Sequence, residues 1–319
     1  MRRTLCALLL GLLSWACAAQ TVSIAFVGDI LLDDGPGRFI KRGGNPFAAF
    51  APLLDTADIR VGNLECVVAT TGSPAPGKIW TFRAHPRTLP LLKRHFDAVS
   101  LANNHSGDYG PQAFSEMLGL LKRQGIPYFG GGADLSEAHT PLLIERKGLR
   151  IALLAYNEFF PRSFEADADQ PGIAWSEDEQ VRLDIAEARR RYQADLVIPF
   201  MHWGWENETR AGTRQRSLAR IMIDAGADAV VGTHPHVTQD IELYRGKPII
   251  YSLGNFVFDG FDTEANNTGW VLRMEADREG IRRWRTHVAR MDRQGIPRPA
   301  SEAGQCWQRG DEKPQACAP

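Results

Sequence analysis

The chain has 319 residues, 44% hydrophobic and 24% charged, an ordinary globular balance that is long enough for one large or two ordinary domains. Lys+Arg is 37 against Asp+Glu 38, a formal charge of −1, so no basic excess points to nucleic acid as a partner. The five cysteines include no pair at two-residue spacing, which excludes the common zinc-finger type of structural metal site.

Arg2 and Arg3, the short apolar run Leu5 to Trp15 and the small residues Ala16-Cys17-Ala18 have the form of a cleavable export signal over residues 1–19. The run is too short to span a bilayer comfortably, so no stable membrane insertion is expected and the chain is expected to be periplasmic or secreted. A lipid anchor on Cys17 is the competing reading, but Ser14-Trp15 fits that signal poorly. Arg2-Arg3 supports a twin-arginine route only weakly. Export permits disulfides. Of the three cysteines left after cleavage, Cys306 and Cys317 are close enough in sequence for a local bridge, and Cys66 is expected to be a buried free thiol.

Thr21 to Val27 is an apolar, β-rich run that ends at Gly28-Asp29, which predicts a buried first strand delivering a carboxylate at its C-terminal end. Asn45-Pro46 has the form of a helix start, and the helix is expected to reach about Leu54. Ile59 to Val61 predicts a second strand ending at Gly62-Asn63-Leu64-Glu65. Thr70 to Lys78 reads as a surface loop, and Trp80-Thr81-Phe82-Arg83 as a loop folding over a site. A helix over Pro86 to Phe96, a strand over Ala98 to Leu101 ending at Ala102-Asn103-Asn104-His105, and a helix over Pro111 to Gln124 follow. Tyr128-Phe129 is a brief strand. The triple glycine after it lacks the Lys-Ser/Thr of a phosphate loop and reads as a turn. Pro141–Glu145 and Arg150–Ala155 suggest a hairpin. Asn157 to Trp175 is a long loop, either a lid or plain surface. Glu177 to Tyr192 and Arg214 to Ala225 predict helices. Strands are expected at Leu196–Met201, Ala229–Val231, Ile249–Leu253, Trp270–Glu275 and Ile281–His287. The alternation predicts an α/β sandwich over residues 20–293, with a polar tail over residues 294–319.

Five predicted strand ends carry potential ligands: Asp29, Glu65, Asn104-His105, His202 and His234/His236. In open α/β sheets the crevice at the C-terminal strand ends is where ligands sit, so these distant segments can converge. Pro235 is expected to hold His234-Pro235-His236 stiff and extended, with both imidazoles on one face, serving one ion or two neighbours. Mixed carboxylate, amide and imidazole ligands suit one or two divalent ions such as Zn²⁺, Mn²⁺ or Fe²⁺. A carboxylate can bridge two ions roughly 3.5–4 Å apart, and a nearby histidine can protonate a leaving group. Each residue also has a plainer reading: Asp29 as turn-former, Glu65 as loop acid, Asn104 as helix cap, His105 and His202 as structural histidines. His85, His95, His139 and His287 lack such context and read as surface or packing residues.

Six ordered motifs carry a family resemblance. Gly28-Asp29-Ile30-Leu31-Leu32, Asn63-Leu64-Glu65, Ala102-Asn103-Asn104-His105 with Asp108-Tyr109-Gly110, His202-Trp203-Gly204-Trp205-Glu206, Gly232-Thr233-His234-Pro235-His236-Val237-Thr238-Gln239 and Tyr251 to Asp259 resemble the CapA, or poly-γ-glutamate synthesis protein, family over roughly Val22 to Asp259. The resemblance implies a calcineurin-like metallophosphatase fold, a four-layer α/β/β/α sandwich, and a link to synthesis or export of a poly-γ-glutamate or capsule-type polymer. It implies Asp29 and His236 on a first ion, Glu65 bridging, Asn104, His202 and His234 on a second ion, and His105 as general acid. The wider fold usually has a histidine two residues after the first aspartate; here Leu31 stands there, which leaves the first ion a ligand short. Glu206, Asn255 and Asp259 have no place in that scheme and are assigned to substrate binding, to support of the ligands or to shaping the loops. Two functions follow. One is an exported hydrolase cleaving a phosphoester or γ-glutamyl amide through a metal-activated water; the other is a non-catalytic protein that binds or guides an anionic polymer. Family members tied to a membrane synthase often carry a transmembrane segment, which the cleavable signal here does not supply.

Overall fold

A computed structural model describes residues 20–162 and 164–317, so the expected export signal lies outside the described residues. Two sheets lie face to face. In the first, the parallel strands Val22–Ile30, Ile59–Leu64, Ala98–Ser100 and Tyr128–Phe129 run side by side. On the other edge of Val22–Ile30 the antiparallel pair Thr268–Asp277 and Gly280–Met291 extends the sheet. The second sheet is ordered Ile241–Tyr244, Lys247–Ile250, Val230–Thr233, Leu196–His202, Leu149–Asn157 and Leu142–Arg146.

The central strands read as unbroken apolar runs because both of their faces are covered. Between the sheets Ile24, Phe26 and Val61 meet Ile151, Ile198, Phe200 and Val231, with the Phe26 and Phe200 rings 5.7 Å apart. Outside the first sheet, Leu92 of helix Leu89–His95 and Phe114, Met117 and Leu121 of helix Gly110–Gln124 pack on Val27, Leu64 and Val99. Outside the second sheet, Val181 and Ile185 of helix Asp178–Arg190 and Leu218 and Met222 of helix Thr213–Ala225 pack on Leu154, Val197 and Val230. Each such fully buried side chain contributes about 1.5–3 kcal/mol, so the helices are held by these faces rather than by their polar sequences. The layering is α/β/β/α.

Three local readings differ. Asn45 starts no long helix: its Oδ1 accepts from the Phe47 amide at 3.0 Å in a turn, and only Ala51–Leu54 is helical. The strand expected at Ile249–Leu253 is Lys247–Ile250 in the second sheet, and a separate short strand, Asn255–Val257, crosses to pair with Val22–Ile30. Gly28 permits that crossing, since a Cβ there would stand 1.7 Å from the Gly254 carbonyl oxygen. The segment read as a polar tail supplies the strands Pro297–Pro299, Gln305–Gln308 and Gln315–Ala316 to the first sheet. Trp307 is buried between the sheets, and Cys306 is bonded to Cys317, while Cys66 is a buried free thiol.

Candidate metal centre

Strand register brings the polar residues to one edge. Asp29 lies opposite Asn63, Asn63 opposite Ser100, and His202 opposite both Thr233 and Asn157. The C-terminal ends of both sheets therefore face one crevice. Asp29, Glu65, His202 and His234 are buried there, with His105 and His236 almost so and Asn104 half-buried.

Glu65 is the centre of the arrangement. It is fully buried, and neither carboxylate oxygen has a hydrogen-bond partner among the described residues. Burial first, then the neighbouring Asp29 charge, raises its carboxyl well above the ordinary value. Its Oε1 lies 3.7 Å from His202 Nε2, 3.7 Å from His236 Nε2 and 3.9 Å from His105 Nε2. Two ligand sets share it, Asp29–Glu65–His236 and Glu65–His202–His234, each with ligand atoms within 4.8 Å of one another.

On the first side, Asp29 Oδ1 accepts from Asn63 Nδ2 at 2.8 Å and Oδ2 from the His234 amide at 3.2 Å. Burial raises its carboxyl, and the His236 charge opposes that. His236 Nδ1 donates to Asn255 Oδ1 at 2.8 Å, which turns Nε2 toward Glu65. On the second side, Asn104 Oδ1 is 2.7 Å and His234 Nδ1 3.1 Å from His202 Nε2. Thr233 Oγ1 at 3.1 Å and Asn63 Nδ2 at 3.2 Å both approach His202 Nδ1, while Nε2 faces Asn104 and His234. Burial holds His202 and His234 well below the ordinary imidazole value, so both are neutral donors of a lone pair. His234 Nε2 is buried without a hydrogen-bond partner among the described residues.

The His-Pro-His segment is not extended. His234 has φ 98° and His236 φ 56°, backbone that a non-glycine residue rarely adopts. The bend separates the two rings, whose centroids are 5.9 Å apart, and sends one to each side of Glu65. Alternation along a strand suggested a shared face; the strand ends at Thr233, before the alternation can apply.

His105 Nδ1 donates to Asp108 Oδ2 at 2.7 Å, and its ring lies 4.5 Å from that of Phe82. Burial lowers its pKa, with Asp108 opposing. Lys78 bonds Asp108, and Asp108 also accepts from the Phe82 amide at 2.7 Å, so the Lys78–Phe82 stretch is fastened over the site. On the far side the Phe159 ring lies 4.0 Å from His234, so the start of the Asn157–Trp175 stretch forms a wall. Asn63, Lys78, Asp108 and Thr233 were not singled out from sequence. Asn63, Asp108 and Thr233 sit inside quoted motifs, which is the signal available; nothing local marks Lys78.

The three remaining residues fall apart. Glu206 and Asp259 line a cavity above His105 and His236. Asn255 is fully buried with its amide committed to His236 and to the Asn266 carbonyl oxygen at 2.9 Å, so it positions an imidazole instead of facing the cavity. Leu31 is 1% exposed and packs among the apolar residues under the first sheet's helices, supplying no ligand. The buried unpartnered Glu65 oxygens and His234 Nε2, with a mixed nitrogen and oxygen donor set, fit divalent metal on chemical grounds.

Comparison with known proteins agrees with this architecture. A crystal structure of a hypothetical protein from Thermus thermophilus superposes with a TM-score of 0.50 at 16% identity, over 90% of this chain and 100% of that one. That likeness shows the fold alone, the four-layer α/β/β/α sandwich described above. The PGA biosynthesis protein CapA of Bacillus subtilis (strain 168) is 34% identical over 276 residues, 81% of this chain and 71% of the relative. The capsule biosynthesis protein CapA of Bacillus anthracis is 32% identical over 260 residues, 79% of this chain and 63% of that protein's length. The model of the bacterial capsule synthesis protein PGA_cap matches residues 23–260, a span that holds every one of the ligand residues, and the chain belongs to that family.

Proposed function

We propose that this chain is an exported, metal-dependent hydrolase of capsule-type polymer synthesis, acting on a phosphoester or a γ-glutamyl amide. The observation that carries the reading is Glu65: a fully buried carboxylate with two unpartnered oxygens, shared by two ligand sets. Asp29 and His236 would hold an ion on one side, and Asn104, His202 and His234 on the other. A divalent ion so held supplies Lewis acidity toward a phosphoryl or carbonyl oxygen and acidifies water. The chain supplies the proton chemistry. With Nδ1 held by Asp108, neutral His105 can take a proton at Nε2 and pass it to a leaving group. Phe82 and Phe159 shield the cluster from bulk water on two sides.

A second reading, non-catalytic binding of an anionic polymer, draws support from Leu31, which leaves the Asp29 side a ligand short. The Asp108–His105 pair favours the hydrolase, because a binder has no need of an oriented proton carrier. The test is metal content per chain by elemental mass spectrometry, with turnover of generic phosphoesters and γ-glutamyl peptides in added Mn²⁺. About two equivalents, or one with turnover, supports the hydrolase; His202→Ala and His234→Ala should then lose metal and activity together. Full metal content and turnover in His234→Ala would overturn the ligand assignment. No metal bound, and none regained from Mn²⁺, Zn²⁺ or Fe²⁺, would leave the binding reading.

A further inference from the structure

Four of the exposed large apolar residues stand on loops around the metal-ligand cluster: Ile79 at 87%, Trp80 at 69%, Phe160 at 62% and Trp205 at 68% exposure. Large apolar side chains left in water around one crevice mark a surface that something covers. Directly above His105 and His236 is a cavity of about 180 Å³. Its wall is a chain of rings. Phe82 lies 5.8 Å from Phe258, Phe258 lies 5.6 Å from Phe261, and the His236 ring is 4.8 Å and 5.0 Å from those last two. Trp80 stands at the mouth.

The charge of the side chains around this cavity is one-sided. Asp34, Glu206 and Asp259 line it, and no lysine or arginine does. Arg38, outside the lining, lies 3.6 Å from Asp34 and 3.7 Å from Asp259, which leaves three carboxylates against one guanidinium. Asp259 also accepts from the Gly35 amide at 2.8 Å, which holds its carboxylate in place. Glu206 makes no ion pair among the described residues. Carboxylates repel an anion, and ring faces attract a cation through their quadrupole; together they select an organic ammonium.

We infer that this cavity receives a substrate's ammonium group, so that the polymer or peptide reacts at or next to its free amino end. This rests on the reading above in one respect, that the cluster on the cavity floor is the reacting centre. An anionic chain enters the acidic mouth most readily at the one place where it carries positive charge, and the cavity has room for a terminal group and not for a long chain segment.

The experiment is calorimetric titration of the full mature chain, metal-loaded, with γ-glutamylglutamate and with its N-acetyl derivative. The free-amine peptide is expected to bind at least about tenfold more tightly. Trp80→Ala and Glu206→Gln, both at exposed positions, should each shrink that preference, and Glu206→Gln with Asp259→Asn should abolish it at an unchanged melting midpoint. Equal or tighter binding of the acetylated peptide, no binding of either, or a preference untouched in all three variants would overturn the inference. His234→Ala separates the two proposals, since it should lose metal and turnover yet keep the amine preference. Preference without turnover of either phosphoesters or γ-glutamyl peptides in the wild type sinks the hydrolase and leaves the pocket standing; turnover without preference does the reverse.

Discussion

The two sides of Glu65 are built on different principles. On the Asn104 side, two imidazoles and an amide oxygen converge within 3.1 Å contacts, and each comes from a different strand end. On the Asp29 side, one carboxylate and one imidazole approach Glu65, while Leu31 turns into the apolar layer. The first is neutral and nitrogen-rich, suited to a borderline ion; the second places two acids together and needs positive charge to be stable. The teaching is that a shared carboxylate makes the weaker side dependent on the stronger.

The largest effect that would break this comparison is at Glu65 itself. Glu65→Gln should empty both sides and lower turnover by more than the about 100-fold typical of losing an outer support for a ligand, read by elemental mass spectrometry and kinetics. Unequal loss between the sides would show that Glu65 is not shared. Next come the two histidines of the bend. His234→Ala should remove the tighter-held ion and with it the dependent weaker one, whereas His236→Ala should remove only the weaker one and leave about one equivalent. Equal losses would mean a single ion shared by both sides. Asp108→Asn touches neither side and should cost about 10–100-fold in turnover with metal content intact, because it frees the imidazole that it orients. Leu31→His should raise occupancy on the Asp29 side alone, at a stability cost of about 1–3 kcal/mol for a polar group in an apolar layer.

The smallest effect is on stability against pH, and its sign differs between the sides. In metal-free protein, burial lowers His202 and His234 below the ordinary 6.5. The unfolded chain takes up those protons first, so the stability tied to them is complete above about 6.5 and lost as pH falls toward the lowered folded values. Asp29 and Glu65 are raised by burial. Their contribution is complete below the ordinary carboxylate range and lost as pH rises through their raised folded values. Melting midpoints across that range should show His234→Ala softening the acid-side loss and Glu65→Gln softening the alkaline-side loss. Metal should flatten both.

Part of this was legible in the chain itself, and the reason is local. Asp29, Glu65, His202 and His234 lie at or next to the ends of short apolar runs, so period and punctuation reveal both the strand and its ligand. The alternation of strands and helices likewise predicts the layered α/β class. The nearby cysteines in the tail made the Cys306–Cys317 bridge predictable without the sheet around it.

What only the tertiary structure decided depends on partners remote in sequence. The tail is polar strand by strand, and it becomes part of the first sheet because Gly280–Met291 offers an open edge to Gln305–Gln308. Asn255 looks like a ligand-binding residue until the crossing strand buries it behind His236. Lys78 carries no motif, and it joins the site because Asp108 lies thirty residues away in sequence and in contact in space. The division of His234 and His236 between two sides rests on left-handed backbone that neither residue prefers alone and that surrounding bonds, such as the His234 amide on Asp29, over-determine. Composition and period report what a residue prefers by itself; which carboxylate is left unpartnered in the dark between two sheets is settled by everything folded around it.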